Sequence, residues 1–131
     1  MKSEHKIQNE IRLALSNEGY TNFRANVGKV KMQDGRWFDT GLPTGHPDLY
    51  GFKPNGKIFY IEVKNDKGKL SEVQKTFSKV VLQPYGIIHG VARSKEEALK
   101  IVNEELCGYG YGINNTSILN LKKLEREEKY R

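Results

Sequence analysis

Gly45-His46-Pro47-Asp48-Leu49-Tyr50-Gly51-Phe52-Lys53-Pro54-Asn55-Gly56-Lys57-Ile58-Phe59-Tyr60-Ile61-Glu62-Val63-Lys64 is the stretch on which the fold of this chain turns. Its second half carries an apolar run, Ile58-Phe59-Tyr60-Ile61, the pattern of a buried strand. The turn signal Lys53-Pro54-Asn55-Gly56 separates that run from residues 48–52, the neighbouring strand of a hairpin. Side chains alternate faces along a strand, so Glu62 and Lys64 emerge together while Ile61 and Val63 point the other way. The hairpin brings Asp48 beside Glu62. Two carboxylates and an ammonium then converge at one spot on a sheet, which suits binding of Mg²⁺ or Mn²⁺ and attack on a phosphodiester.

Working outward, the order of elements alternates helix and strand, an α/β class. Residues 4–18 are expected as a helix, with Ser3 as N-cap, Gly19 as the stop and Ile7, Ile11, Ala14 and Leu15 as the apolar stripe. Glu10 falls on the rim of that stripe. Strands at 23–32 and 36–38, joined at Asp34-Gly35, precede a Gly/Pro-rich loop from Thr40 to Pro47. After Lys64, a polar loop (Asn65–Leu70) leads to a helix from Ser71 to about Leu82, with Val73, Phe77, Val80 and Val81 expected inward. A strand at Gly86–Ala92 and a helix from Ser94 to about Leu106 follow, the latter opened by a Ser94/Glu97 capping box. Cys107-Gly108-Tyr109-Gly110-Tyr111-Gly112 has the composition of a flexible aromatic linker. The expected organisation is one domain over 1–107, a linker over 108–116 and a basic helix or tail over 117–131, where Ile118, Leu121 and Leu124 form a thin stripe.

Composition sets the outer bounds. At 131 residues, with 29% charged and 37% hydrophobic residues, the chain fits a single modest core. No apolar run is long enough to span a bilayer, and the N-terminus lacks a signal-peptide core. A single cysteine, Cys107, excludes a disulfide framework within the chain and a cysteine zinc site, so a reducing, cytoplasmic setting is expected. Net charge is +6, which favours a polyanionic partner.

The order Glu10, Gly45-His46-Pro47-Asp48, Glu62-Val63-Lys64, then Gln74 resembles the PD-(D/E)XK nuclease superfamily. Within it, Gly45–Leu49, Glu62–Gln74 and Val91-Ala92-Arg93-Ser94 are similar to the small stand-alone VRR-NUC proteins, often encoded by phages. The resemblance covers about residues 4–106. It implies a restriction-endonuclease-like αβββαβ core with a mixed central sheet flanked by helices, and the site on one sheet face. It also implies divalent-metal-dependent DNA cleavage in a bacterial or phage-infected cell, commonly by a homodimer related to Holliday-junction resolvases. In that picture Glu10, Asp48 and Glu62 take the acidic metal-site positions, the Val63 carbonyl completes the site, Lys64 is the motif lysine and Gln74 the glutamine of the following helix.

Each residue also has a plainer expectation. Ser71-x-x-Gln74 is itself a capping box, so Gln74 can serve the Ser71 amide. His46 suits either a phosphate contact or a loop-ordering hydrogen bond, and His89 a satisfied structural position. Lys64, flanked by carboxylates that favour its charged form, is expected to orient and stabilise rather than to act as a base. Lys67 and Lys69 follow the catalytic strand; Arg24, Lys29, Lys31, Arg36 and Trp37 lie in the first hairpin region. All are candidates for DNA contacts of the phosphate-binding, sequence-independent kind, with Tyr109 and Tyr111 either stacking on bases or serving as linker. The alternatives are a restriction-type or flap-directed nuclease, and a nucleic-acid-binding module without catalysis.

Overall fold

A computed structural model describes residues 1–112. It opens with helix α1 (Glu4–Asn17), capped by the Ser3 hydroxyl, which accepts the Lys6 N–H at 3.1 Å. Ile7, Ile11 and Leu15 recur at helical spacing and are buried, and the chain leaves the helix through Gly19 at φ +84°. Strands β1 (Thr21–Arg24), β2 (Lys29–Lys31), β3 (Trp37–Asp39), β4 (Leu49–Phe52) and β5 (Ile58–Val63) follow. Next come α2 (Glu72–Phe77), a π-helical turn (Ser78–Leu82), a 3₁₀ turn (Gln83–Tyr85), β6 (Ile88–Ala92), α3 (Lys95–Asn103) and β7 (Cys107–Tyr109).

Five strands form one mixed sheet in the order β1-β4-β5-β6-β7. The β1/β4 and β4/β5 pairs are antiparallel; β5/β6 and β6/β7 are parallel, with the helical segments making the crossovers. On one sheet face Leu49, Phe59, Ile61 and Val63 meet Ile7, Ile11 and Leu15 of α1 and Ala98, Ile101 and Val102 of α3. Each such aliphatic side chain contributes roughly 1.5–3 kcal/mol on burial. The expected α/β class, with a mixed central sheet flanked by helices, is what the chain adopts.

Three local expectations need correction. The strand expected over 23–32 is two strands: β1 joins the main sheet, whereas β2 pairs only with β3 in a separate hairpin. Val73, Val80 and Val81 do not face inward; they are 52%, 60% and 42% exposed. The helix widens to π geometry after Phe77 and tightens at Pro84, and this change of pitch turns Ser78, Leu82 and Gln83 inward instead. Residues 107–109 are not linker but a fifth strand. Gly108, Gly110 and Gly112 at positive φ then fold Tyr111 back onto the sheet, where it is 8% exposed. The basic segment 117–131 lies outside the described residues.

Candidate active site

The loop before β4 is clamped at both ends. Gly45 presses so closely on α2 that a Cβ there would meet the Val73 carbonyl oxygen at 2.3 Å. His46 is 9% exposed; its Nδ1 stands 2.7 Å from the Pro47 carbonyl oxygen, and its ring packs against Tyr50, Tyr60 and Phe77. Those contacts are the loop-ordering ones. They deliver Asp48 to the start of β4, where the pairing of Leu49 with Ile61 sets Asp48 level with Glu62. Asp48 Oδ2 accepts the Val63 N–H at 2.8 Å, which fixes the carboxylate at the end of β5.

Glu62 is the unusual member of the group. It is 1% exposed, on the sheet face opposite the aliphatic core, and its Oε2 has no hydrogen-bond partner among the described residues. Burial first, and then the adjacent Asp48 carboxylate, push it up to about 10; Lys64 pulls the other way and Glu4 adds to the rise. The other oxygen, Oε1, is 3.4 Å from the Gln74 side-chain nitrogen. Gln74 serves both expected roles at once: its Oε1 accepts the Ser71 N–H at 2.9 Å while the amide nitrogen turns to Glu62. Lys64 follows directly on β5 and is half-buried.

Not every expected residue joins this group. Glu10 is engaged by Lys2 at 3.0 Å, and that contact holds its carboxyl below the usual range. The acidic residue of α1 whose charge reaches Glu62 is Glu4, which the sequence did not single out. A Cβ on Gly68 would meet Glu4 Oε1 at 2.8 Å and Lys64 Cδ at 3.1 Å, so Glu4 and Lys64 share one corner beneath the 65–68 loop. A signal for it existed. Glu4 precedes Ile7 by three and Ile11 by seven, on the buried stripe itself, whereas Glu10 lies at its rim. Among the described residues no three His, Cys, Asp or Glu side chains cluster as a metal-holding group; the carboxylates in contact are the Asp48–Glu62 pair.

The basic residues expected to take DNA are all exposed. Lys67 and Lys69 are exposed on a loop that Arg93 pins by donating to the Gly68 carbonyl at 2.8 Å. Arg24, Lys29, Lys31 and Arg36 are exposed on β1 and the β2–β3 hairpin. Behind Glu62, His89 is fully buried in a chain of neutral hydrogen bonds. Gln83 Nε2 donates to Ser78 Oγ at 2.8 Å, Ser78 Oγ meets His89 Nε2 at 2.7 Å, and His89 Nδ1 stands 2.7 Å from the Ile87 carbonyl oxygen. Burial lowers His89 to about 4, as a structural histidine requires. Tyr111 packs its ring on His89 with centroids 5.3 Å apart; burial, then the charges of Glu62 and Asp48, raise its phenol.

The model of the VRR-NUC domain matches residues 2–96. No curated protein and no solved structure matches the chain significantly. The chain belongs to the VRR-NUC domain family of PD-(D/E)XK-like nuclease domains, and a nuclease-type function on a nucleic-acid substrate follows from that membership.

Proposed function

We propose that this VRR-NUC family member is a divalent-metal-dependent endonuclease that hydrolyses phosphodiester bonds in branched or structured DNA, Holliday junctions included, and acts as a homodimer. The observation that carries the metal dependence is Glu62, a carboxylate 1% exposed, beside Asp48, with one oxygen unpartnered. Such a pair cannot carry both charges unless a cation offsets them, and hard oxygen donors suit Mg²⁺ or Mn²⁺. Asp48 and Glu62 would hold the ion, with the Val63 carbonyl completing the set and Glu4 adding negative charge nearby. When bound, the ion supplies Lewis-acid stabilisation of the phosphoryl oxygens and lowers the pKa of an attacking water.

The chain's own groups do the rest. The Val63 N–H and the Gln74 amide fix the two carboxylates before substrate arrives. Lys64 orients the scissile phosphate and offsets negative charge developing on it. Lys67, Lys69, Arg24, Lys29 and Lys31 take backbone phosphates, a salt-sensitive contact without base specificity. The exposed face of Val73, Val80 and Val81 supports the dimer, since water-facing valines at helical spacing suit a second copy. Calorimetry with Mn²⁺ tests the site. Asp48→Ala and Glu62→Ala should both lose binding, and wild-type affinity in both would end the assignment.

A further inference from the structure

The β2–β3 hairpin takes no part in the buried core. It forms its own two-stranded sheet, and all six of its strand residues are exposed. An unsupported ribbon is marginal by itself, yet this one holds Trp37 at 65% and Phe38 at 57% exposure. The register sorts its faces: Lys29 lies opposite Asp39, Val30 opposite Phe38, and Lys31 opposite Trp37. Alternation therefore groups Lys29, Lys31, Trp37 and Asp39 on one face and Val30 and Phe38 on the other. Asp39, opposite Lys29, forms no ion pair with either lysine; its Oδ1 accepts the Gly41 N–H at 2.9 Å. Among the described residues neither lysine has an ion-pair partner.

The ribbon is also tied to the loop that carries Asp48. Gly28 N–H donates to the Leu42 carbonyl at 2.7 Å, and the Thr40 N–H and hydroxyl both donate to the Gly28 carbonyl at 3.0 Å. Its base is thus joined to the segment that ends at the catalytic carboxylate.

We propose that this hairpin is a nucleic-acid arm on which Trp37 stacks against an unpaired base while Lys29 and Lys31 take the flanking phosphates. The inference rests on the nuclease reading and adds the feature of the substrate that is recognised. Bases within an intact duplex are covered by their neighbours and offer no open face, whereas flaps, branch points and single strands do. An indole beside two free ammonium groups matches that combination of π-face and backbone charge, and stacking of this kind tolerates any base.

Trp37 is the only tryptophan in the chain, so its fluorescence reports the contact directly. The full chain in EDTA is titrated with a thymidine oligonucleotide and, separately, with a blunt duplex. Strong quenching by the single strand and weak quenching by the duplex are expected. By anisotropy of a labelled oligonucleotide, Trp37→Ala should weaken binding about tenfold, and Trp37→Phe should keep most of the affinity. Lys29→Ala with Lys31→Ala should flatten the salt dependence. An unchanged emission at saturation, or full affinity in a Trp37→Ala protein that melts normally, overturns the arm. So does an emission change that follows protein concentration without DNA, which would assign the face to a second copy. Because no metal is present, loss of quenching with cleavage intact sinks the arm alone, and quenching without cleavage sinks the nuclease reading alone.

Discussion

A carboxyl held out of water beside a second one gives up its charge, and Glu62, raised to about 10 with one oxygen unpartnered, rests protonated near neutral pH until a cation replaces the proton. Glu62→Gln keeps the shape and the neutral state but cannot ionise to hold a cation. Near neutral pH the metal-free variant should therefore match the natural chain in stability to within about 1 kcal/mol, while being inactive. Mg²⁺ should raise the melting midpoint of the natural chain and leave the variant unmoved; equal shifts in both would contradict the role assigned to Glu62. Lys64→Ala should keep Mn²⁺ and DNA affinity but lose roughly 10²–10³-fold in turnover, the scale of one lost charge stabiliser. Wild-type single-turnover rates would remove its part. Asp48 and Glu62 were legible because a hairpin turn and a period of two suffice to bring them level. Glu4 left a weaker signal: it shares the helical stripe of Ile7 and Ile11, but an exposed acid near a helix start looks like an ordinary first-turn residue. The loop folding over it through Gly68 shows its neighbours.

Elements set what those residues can do, and the segment from α2 to β6 is the least regular of them. Its π turn brings Ser78 and Gln83 onto His89, giving a neutral buried chain in place of the expected valine stripe. Spacing alone could not show this, because Val73, Phe77, Val80 and Val81 fit a regular helix equally well. The network has a pH signature. His89 sits near 4 when folded, against 6.5 for an unperturbed histidine, so between those values the unfolded chain binds more protons. Stability is complete above pH 6.5 and falls as pH drops toward 4, by up to about 3 kcal/mol. His89→Gln should flatten that slope in denaturant melts across the window, and an unchanged slope would place the titrating group elsewhere.

At the scale of the whole molecule, the α/β order was readable from turn signals and apolar runs, down to the hairpin that carries the two acids. The edge of the sheet was not. Cys107–Tyr109 is short and glycine-rich, and its strand exists because β6 offers a free parallel edge and Tyr111 has a place against His89. A chain ending at residue 106 should therefore be less stable than one ending at residue 112, by about 3 kcal/mol or more. Equal urea midpoints would show that β7 and Tyr111 add nothing. The proposed nuclease activity stands on cleavage of a labelled four-way DNA junction with Mg²⁺ or Mn²⁺, beside matched duplex, flap and single-stranded DNA, with Glu62→Ala as control. It predicts metal-dependent cuts, favoured on the substrates with unpaired or branched features and absent from the variant. Cutting that survives in Glu62→Ala, or none on any substrate from folded, metal-supplied protein, would contradict it.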